Sequence, residues 1–201
     1  MGFGWLFVGY FFVQVISLYS PLSFAMLAGY PMMILGLWLL APYHKHFKTA
    51  FFSSFLAIPF AIWFSLYAFS QLGVGTGAIF KGPLFDIAEW GYFAFNFLFT
   101  VIILTAILSL CRELALMSLQ GTAMRNLLVF GAMCVLDLIS RMPFLSGARI
   151  GGYLVLTVLF LKLIIIFLNL HLIFSCYRRI APEGEELSAP RTRGAGKGKE
   201  E

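Results

Sequence analysis

One stretch of the chain decides the fold: YLVLTVLFLKLIIIFLNLHLIF, at residues 153–174. A transmembrane helix needs about 20 predominantly apolar residues, and this stretch is long enough while carrying one formal charge, Lys162, near its midpoint. A cation at that depth costs at least about 2.5–3.5 kcal/mol on insertion scales. We therefore expect Lys162 to face protein or water, to have a charged partner, and to mark a site.

The composition places the rest of the chain in the membrane as well. Of the 201 residues, 61% are hydrophobic and 11% are charged, and the mean hydropathy is +0.91. Soluble domains contain about 45–50% apolar and about 25% charged residues, and a soluble fold of this length has too little interior to hide the difference. The sequence therefore predicts an integral membrane protein whose first partner is the lipid bilayer.

Six apolar segments organise the chain into a predicted all-α bundle. They cover residues 3–19, 22–41, 50–70, 86–110, 124–141 and 151–177. Because a spanning helix has about 17–25 residues, we expect a polytopic integral membrane protein with about six transmembrane helices in a domain of residues 1–179, the first segment being near the short limit. Pro31 and Pro59 should kink the second and third helices. Residues 180–201 are rich in Gly, Pro and charge, which predicts a disordered, charged cytoplasmic tail.

The first two segments should form an antiparallel hairpin, because only a short connection around Pro21 separates them. The second segment also carries small residues on one face, Ala25, Gly29 and Gly36. Small residues let two membrane helices approach closely. This pattern therefore predicts tight helix packing and carries no chemistry.

The distribution of Lys and Arg predicts the orientation. Six spans place ten of these residues on one face, namely Lys45, Lys48, Arg112, Arg125, Arg178, Arg179, Arg191, Arg193, Lys197 and Lys199, and three on the other, namely Lys81, Arg141 and Arg149. By the positive-inside rule, both termini are then cytoplasmic. None of the asparagines begins an N-x-[ST] sequon, which is compatible with the predicted location, a bacterial plasma membrane.

Polar side chains within two of the segments form helical stripes. On the fourth segment Glu89, Asn96 and Thr100 share one face, and on the sixth Lys162 and Asn169 recur after seven residues. Polar groups in spans this apolar should face each other or a common cavity instead of lipid. The fourth and sixth helices are therefore expected to line the same interior.

Depth along each helix selects the partner of Lys162. With a rise of about 1.5 Å per residue, Asp137 and Glu89 lie closer to the outer boundary than Lys162, within reach of a lysine stem directed outward. Asp137 is the first choice and Glu89 the second, and Arg141 can also engage Asp137 four residues earlier on the same helix. The predicted cluster consists of Glu89, Asn96, Asp137, Arg141 and Lys162.

The cluster has two interpretations that the sequence leaves open. The first is a binding pocket or ion path that opens outward, and the second is a buried ion pair that only fixes the register of the helices. Intramembrane charges are functional often enough that both deserve a test. The sequence contains neither HExxH nor GxSxG, so the common hydrolytic signatures are missing and an enzyme is not expected.

No cofactor and no metal site is predicted. His171 faces away from Lys162 on its helix, and the loop motif His44-Lys45-His46 has no acidic or cysteine neighbour in the sequence. A nucleic-acid partner is not expected, because the basic residues are placed as topology signals. The first functional hypothesis is a non-enzymatic accessory, scaffold or regulatory subunit that acts with another membrane protein or a second copy of itself. The alternative is a small-solute binding or transport protein that uses the polar cluster around Lys162.

Overall fold

The computed structural model describes residues 2–18, 20–73, 80, 82–141 and 149–188, with backbone only at residues 20, 149–151 and 181–188. The α-helices in these ranges are α1 (Gly2–Gln14), α2 (Met26–Leu40), α3 (Lys45–Ser54), α4 (Ala57–Gln71), α5 (Pro83–Glu113), α6 (Met117–Ser140) and α7 (Arg149–Ser188). Two 3₁₀ helices, Ile16–Leu18 and Ser20–Ala25, connect α1 to α2. The described residues contain no strand.

The predicted all-α membrane bundle is confirmed. Five helical stretches are long and apolar enough to cross a membrane: Pro21–Leu40, Lys45–Gln71, Pro83–Glu113, Met117–Ser140 and Gly152–Ile180. A sixth apolar stretch, Gly2–Leu18, is shorter, in line with its place near the short limit in the sequence. The six stretches correspond in order to the six predicted segments.

The end of the last helix differs from the prediction. The sequence places the end of the helix at residue 177 and the start of a disordered tail at residue 180, whereas α7 continues to Ser188. The extension includes Pro182, which has no backbone N–H to donate, so local propensity does not account for it. The rest of the predicted tail, residues 189–201, lies outside the described residues.

The third span is interrupted one turn before Pro59. Helix α3 ends at Ser54 and α4 begins at Ala57. Pro59 has no backbone N–H to donate to the carbonyl of Phe55, four residues earlier. That carbonyl instead accepts from the N–H of Ile58 at 3.2 Å, and the N–H of Leu56 reaches the carbonyl of Ser53 at 3.1 Å. The ladder thus shortens to i→i+3 bonds here, while Pro31 lies inside α2 without ending it.

Helices α1 and α2 pack through a seam of paired glycines. A Cβ added at Gly36 would lie 2.6 Å from the N atom of Leu6 and 2.8 Å from the carbonyl oxygen of Gly2. A Cβ at Gly9 would lie 2.6 Å from the carbonyl oxygen of Gly29. The glycines are seven residues apart on each helix and pair Gly2 with Gly36 and Gly9 with Gly29, which is an antiparallel register. Backbones touch here because no side chain separates them.

Contacts at the helix ends define the two faces of the bundle. His44 Nε2 lies 3.1 Å from Glu113 Oε1, and Arg179 Nη1 donates to Ser118 Oγ at 2.8 Å. We call this the terminal end because Gly2, the first residue of α1, packs there against Leu40. At the opposite or distal end, helix α4 meets the start of α5, where the rings of Tyr67 and Phe85 are 4.8 Å apart, and α6 terminates at Ser140. Successive apolar stretches therefore run antiparallel.

Replacing Gly36 by Ala should destabilise the protein, because the added methyl meets backbone atoms of α1 that cannot rotate away. Overpacking of this kind costs about 1–3 kcal/mol. Gly131→Ala in α6 is the matched control, since its Cβ would meet no atom within 4 Å and alanine is the better helix former. Thermal unfolding in detergent measures both variants, and equal melting temperatures would contradict the seam.

Candidate functional site

Four charged side chains from three helices form a continuous chain of ion pairs at the distal half of the bundle. Lys162 Nζ of α7 lies 2.7 Å from Asp137 Oδ2 of α6. The other oxygen of that carboxylate, Oδ1, lies 3.2 Å from Arg141 Nε. Arg141 Nη1 lies 2.7 Å from Glu89 Oε1 of α5. The order is therefore cation, anion, cation, anion, and the formal charges sum to zero. We call these four residues the ion chain.

Local structure places the two inner members of the ion chain. Asp137 and Arg141 are four residues apart at the end of α6, so their side chains lie on one face of the helix. The N–H of Arg141 bonds the carbonyl of Asp137 at 3.2 Å, which closes the last turn. The Cζ atom of Arg141 lies 5.5 Å from the ring centroid of Trp90 and 5.2 Å from that of Phe93, both on α5. These cation–π contacts orient the guanidinium toward Glu89.

Arg141 follows the last residue of its apolar span, and its guanidinium stays protonated. Burial lowers the pKa of the guanidinium, but the charges of Asp137 and Glu89 outweigh burial and hold the pKa above its ordinary value. An arginine is already protonated at any physiological pH. The ion chain therefore keeps a permanent cation at its centre, which anchors both carboxylates.

The members of the ion chain differ in burial. The Asp137 side chain is 6% exposed, whereas Lys162 is 33% and Glu89 is 44% exposed. Asp137 is thus the most buried member, and the side chains of the two end members are partly exposed and line one cavity. Depth along the helices predicts Asp137 as the first choice of partner for Lys162 and Glu89 as the second. In the structure Lys162 contacts Asp137, and Glu89 contacts Arg141.

Asn96 forms its hydrogen bond with a residue outside the ion chain. Its Oδ1 accepts from Gln14 Nε2 of α1 at 2.9 Å. Gln14 did not enter the predicted cluster, although it is the one amide of the first apolar segment and that isolation was the available signal. Asn96 is nevertheless close to the other four predicted residues, because all five line one cavity.

The cavity has a volume of about 440 Å³ and lies among α1, α2, α4, α5, α6 and α7. Its polar lining includes the five predicted residues with Gln14, Ser17, Ser23, Thr100, Tyr10, Tyr67 and Tyr92. Its phenylalanine lining consists of Phe64, Phe85, Phe93, Phe97 and Phe130. Small-molecule sites have volumes of about 300–1,000 Å³ and combine apolar walls with a few polar groups. The helices α5 and α7 share this interior, as the two stripes predict.

A second polar network lies deeper in the bundle and was missed apart from Asn169. Asn169 Nδ2 of α7 donates to Tyr10 Oη of α1 at 3.0 Å. Asn126 Nδ2 of α6 donates to Asn169 Oδ1 at 3.2 Å and to the carbonyl of Leu168 at 2.9 Å. Both asparagines are 1% exposed. This asparagine network ties three helices together, and the position of Asn126 at the start of its predicted segment hid its role.

The histidines do not join the site. His171 is exposed on another face of α7, and His44 contacts Glu113 at the terminal end. Within the described residues, no group of three or more His, Cys, Asp or Glu side chains could hold a metal ion.

Comparisons with known protein families, with curated proteins and with solved structures find no match to this chain. The function is therefore argued from the residues and their geometry.

Replacing Asp137 by Asn should destabilise the protein strongly, because the carboxylate shared by Lys162 and Arg141 disappears. Removing one partner of a buried ion pair costs about 3–5 kcal/mol. The double variant Asp137→Asn/Lys162→Met should recover part of this loss, since Arg141 keeps Glu89 and no lysine is left unpaired. Unfolding in detergent measures the stability of the wild type, Asp137→Asn, Lys162→Met and the double variant. If the effects of the two single substitutions simply add in the double variant, the pairing is contradicted.

Proposed function

We propose that this protein binds a small solute in the cavity beside the ion chain, as a solute-binding or transport protein of the membrane. One observation carries the proposal: the predicted polar residues of three helices converge on the wall of one cavity of about 440 Å³. A cavity of that size with paired charges and aromatic walls has the build of a ligand site. Intramembrane charges that face such a space usually mark a substrate path.

The contrast between the two polar networks supports this proposal. The asparagine network is 1% exposed at both asparagines, as expected for groups whose task is to join helices. In the ion chain, the side chains of Lys162 and Arg141 are 33% and 25% exposed, and both residues line the cavity. Complete enclosure would strengthen the attraction within each ion pair but would also remove the hydration of both ions. A partly exposed ion pair keeps some of that hydration and can also contact a solute.

The first functional hypothesis, an accessory or regulatory subunit, stays a prediction. No contact among the described residues favours it over solute binding. A transport cycle would require the cavity to communicate with both faces of the membrane, and a second copy or a partner protein would supply the moving surface. The absence of catalytic chemistry likewise stays a prediction.

A cavity-filling variant tests solute binding. Wild-type protein in detergent is heated with free amino acids, monocarboxylates, primary amines and neutral sugars, each at a few millimolar. A bound solute should stabilise the protein by about 1–3 kcal/mol. Ser17→Phe places a large ring at a residue that lines the cavity and should abolish the shift.

Ser53→Phe is the matched control for this experiment. Both serines bond the carbonyl four residues earlier, Ser17 that of Val13 and Ser53 that of Thr49, but Ser53 is not part of the cavity lining. Its variant should keep the shift. If no class stabilises the wild type, or if Ser17→Phe keeps the shift, the proposal is wrong.

We also propose that the membrane is a bacterial plasma membrane and that the terminal end faces the cytoplasm. The support is the excess of Lys and Arg at that end, among them Lys45, Lys48, Arg178 and Arg179. In a bacterial host, a C-terminal green fluorescent protein fusion should fluoresce, and an alkaline phosphatase fusion at the same residue should be inactive. The reverse pair of results would overturn the orientation.

A further inference from the structure

We infer that the solute is a zwitterion with an apolar body, of the class to which the aliphatic and aromatic α-amino acids belong. This inference rests on the proposed function and deepens it. It follows from the order of charges in the ion chain, from the sum of those charges, and from the walls of the cavity.

The first step concerns the two ends of the ion chain. Both oxygens of Asp137 are engaged, one by Lys162 and one by Arg141, and Arg141 is engaged on both sides. An ammonium has three donors and a carboxylate about four acceptor sites. Among the described residues, one contact is made by the Lys162 ammonium and one by the Glu89 carboxylate. The ion chain therefore ends in an ammonium that can donate further hydrogen bonds and in a carboxylate whose second oxygen can accept them.

The second step concerns exposure. Lys162 and Glu89 both line the cavity, and they are the most exposed members of the ion chain, at 33% and 44%. A solute in the cavity thus meets a positive group at one end of the chain and a negative group at the other. A solute carboxylate on Lys162 and a solute ammonium on Glu89 would extend the alternation of charges at both ends.

The third step concerns the total charge. The four members of the ion chain sum to zero, so a monoanion or a monocation would leave one uncompensated charge at membrane depth. Such a charge is costly where water is scarce. A zwitterion brings both signs and leaves the site neutral, and each of its charged groups gains a charge-assisted hydrogen bond.

The walls of the cavity select the body of the solute. Rings from four helices line it, including Phe64 of α4, Tyr92 and Phe97 of α5, and Phe130 of α6. Burying an apolar side chain against these rings is favourable in proportion to the area removed from water. A purely polar zwitterion would forgo that contribution, so an apolar side chain is part of the inference.

Three ligands with one body test the inference: leucine, isocaproate and isoamylamine. Isocaproate is leucine without its amino group, and isoamylamine is leucine without its carboxylate. Titration calorimetry in detergent should show that leucine binds wild-type protein at least about tenfold more tightly than either. A tenfold difference corresponds to about 1.4 kcal/mol, and each analogue lacks one hydrogen bond to a charged group.

Variants assign each end of the solute. Lys162→Met and Glu89→Gln should each weaken leucine binding at least about tenfold. The remaining affinity of Lys162→Met for leucine should approach that of the wild type for isoamylamine. The remaining affinity of Glu89→Gln for leucine should approach that of the wild type for isocaproate. Lys48→Met makes the same substitution at an exposed residue of α3 and should bind leucine as the wild type does. If Lys162→Met fails to fold, Asp137→Asn/Lys162→Met preserves neutrality and should show the same loss.

The outcomes separate this inference from the proposed function. If isocaproate or isoamylamine binds as tightly as leucine, or if another class of solute binds while leucine does not, the solute is no zwitterion of this class but solute binding stands. If leucine binds equally well to wild type, Lys162→Met and Glu89→Gln, the ion chain does not hold it and the inference is overturned. If no solute of any class binds, both fail.

Discussion

The need to pair the charge of Lys162 within the membrane organises the distal half of this protein. Lys162 sits near the middle of the most apolar stretch, and its ammonium is 2.7 Å from Asp137. Because an unpaired charge at that depth is costly, α6 and α7 must present these two side chains to each other. Arg141 then shares the same carboxylate and reaches Glu89, which brings α5 to the same wall. One constraint thus fixes the rotation of three helices and leaves their charges around a cavity.

Packing elsewhere follows from the lack of a hydrophobic driving force between helices in lipid. The hairpin of α1 and α2 relies on close backbone approach at Gly9 and Gly36, where dispersion contacts replace the burial that drives soluble proteins together. The asparagine network joins α1, α6 and α7 at a level nearer the terminal end. These two devices add to the ion chain, which joins α5, α6 and α7 at the distal end.

The sequence anticipated part of the site and missed the rest for identifiable reasons. Helical period and depth placed Asp137 within reach of Lys162, since both quantities are measured along single helices. They could not show that Asn96 meets Gln14, because that contact depends on which helices are neighbours. Asn126 escaped because it lies at the boundary of an apolar segment, where an amide resembles an ordinary helix end. Composition predicts a disordered tail from residue 180, whereas α7 runs to Ser188.

The membrane-helical class, the six apolar stretches and the need to pair Lys162 all follow from the linear chain, because each reflects a local free energy of transfer into lipid. The cavity of about 440 Å³ does not follow from it. Its existence depends on how six helices are rotated and spaced. Small side chains such as those of the α1–α2 seam set that spacing through contacts between residues far apart in the chain. The order of charges in the ion chain also depends on the tertiary structure, because each carboxylate pairs with the cations that lie nearest to it in space.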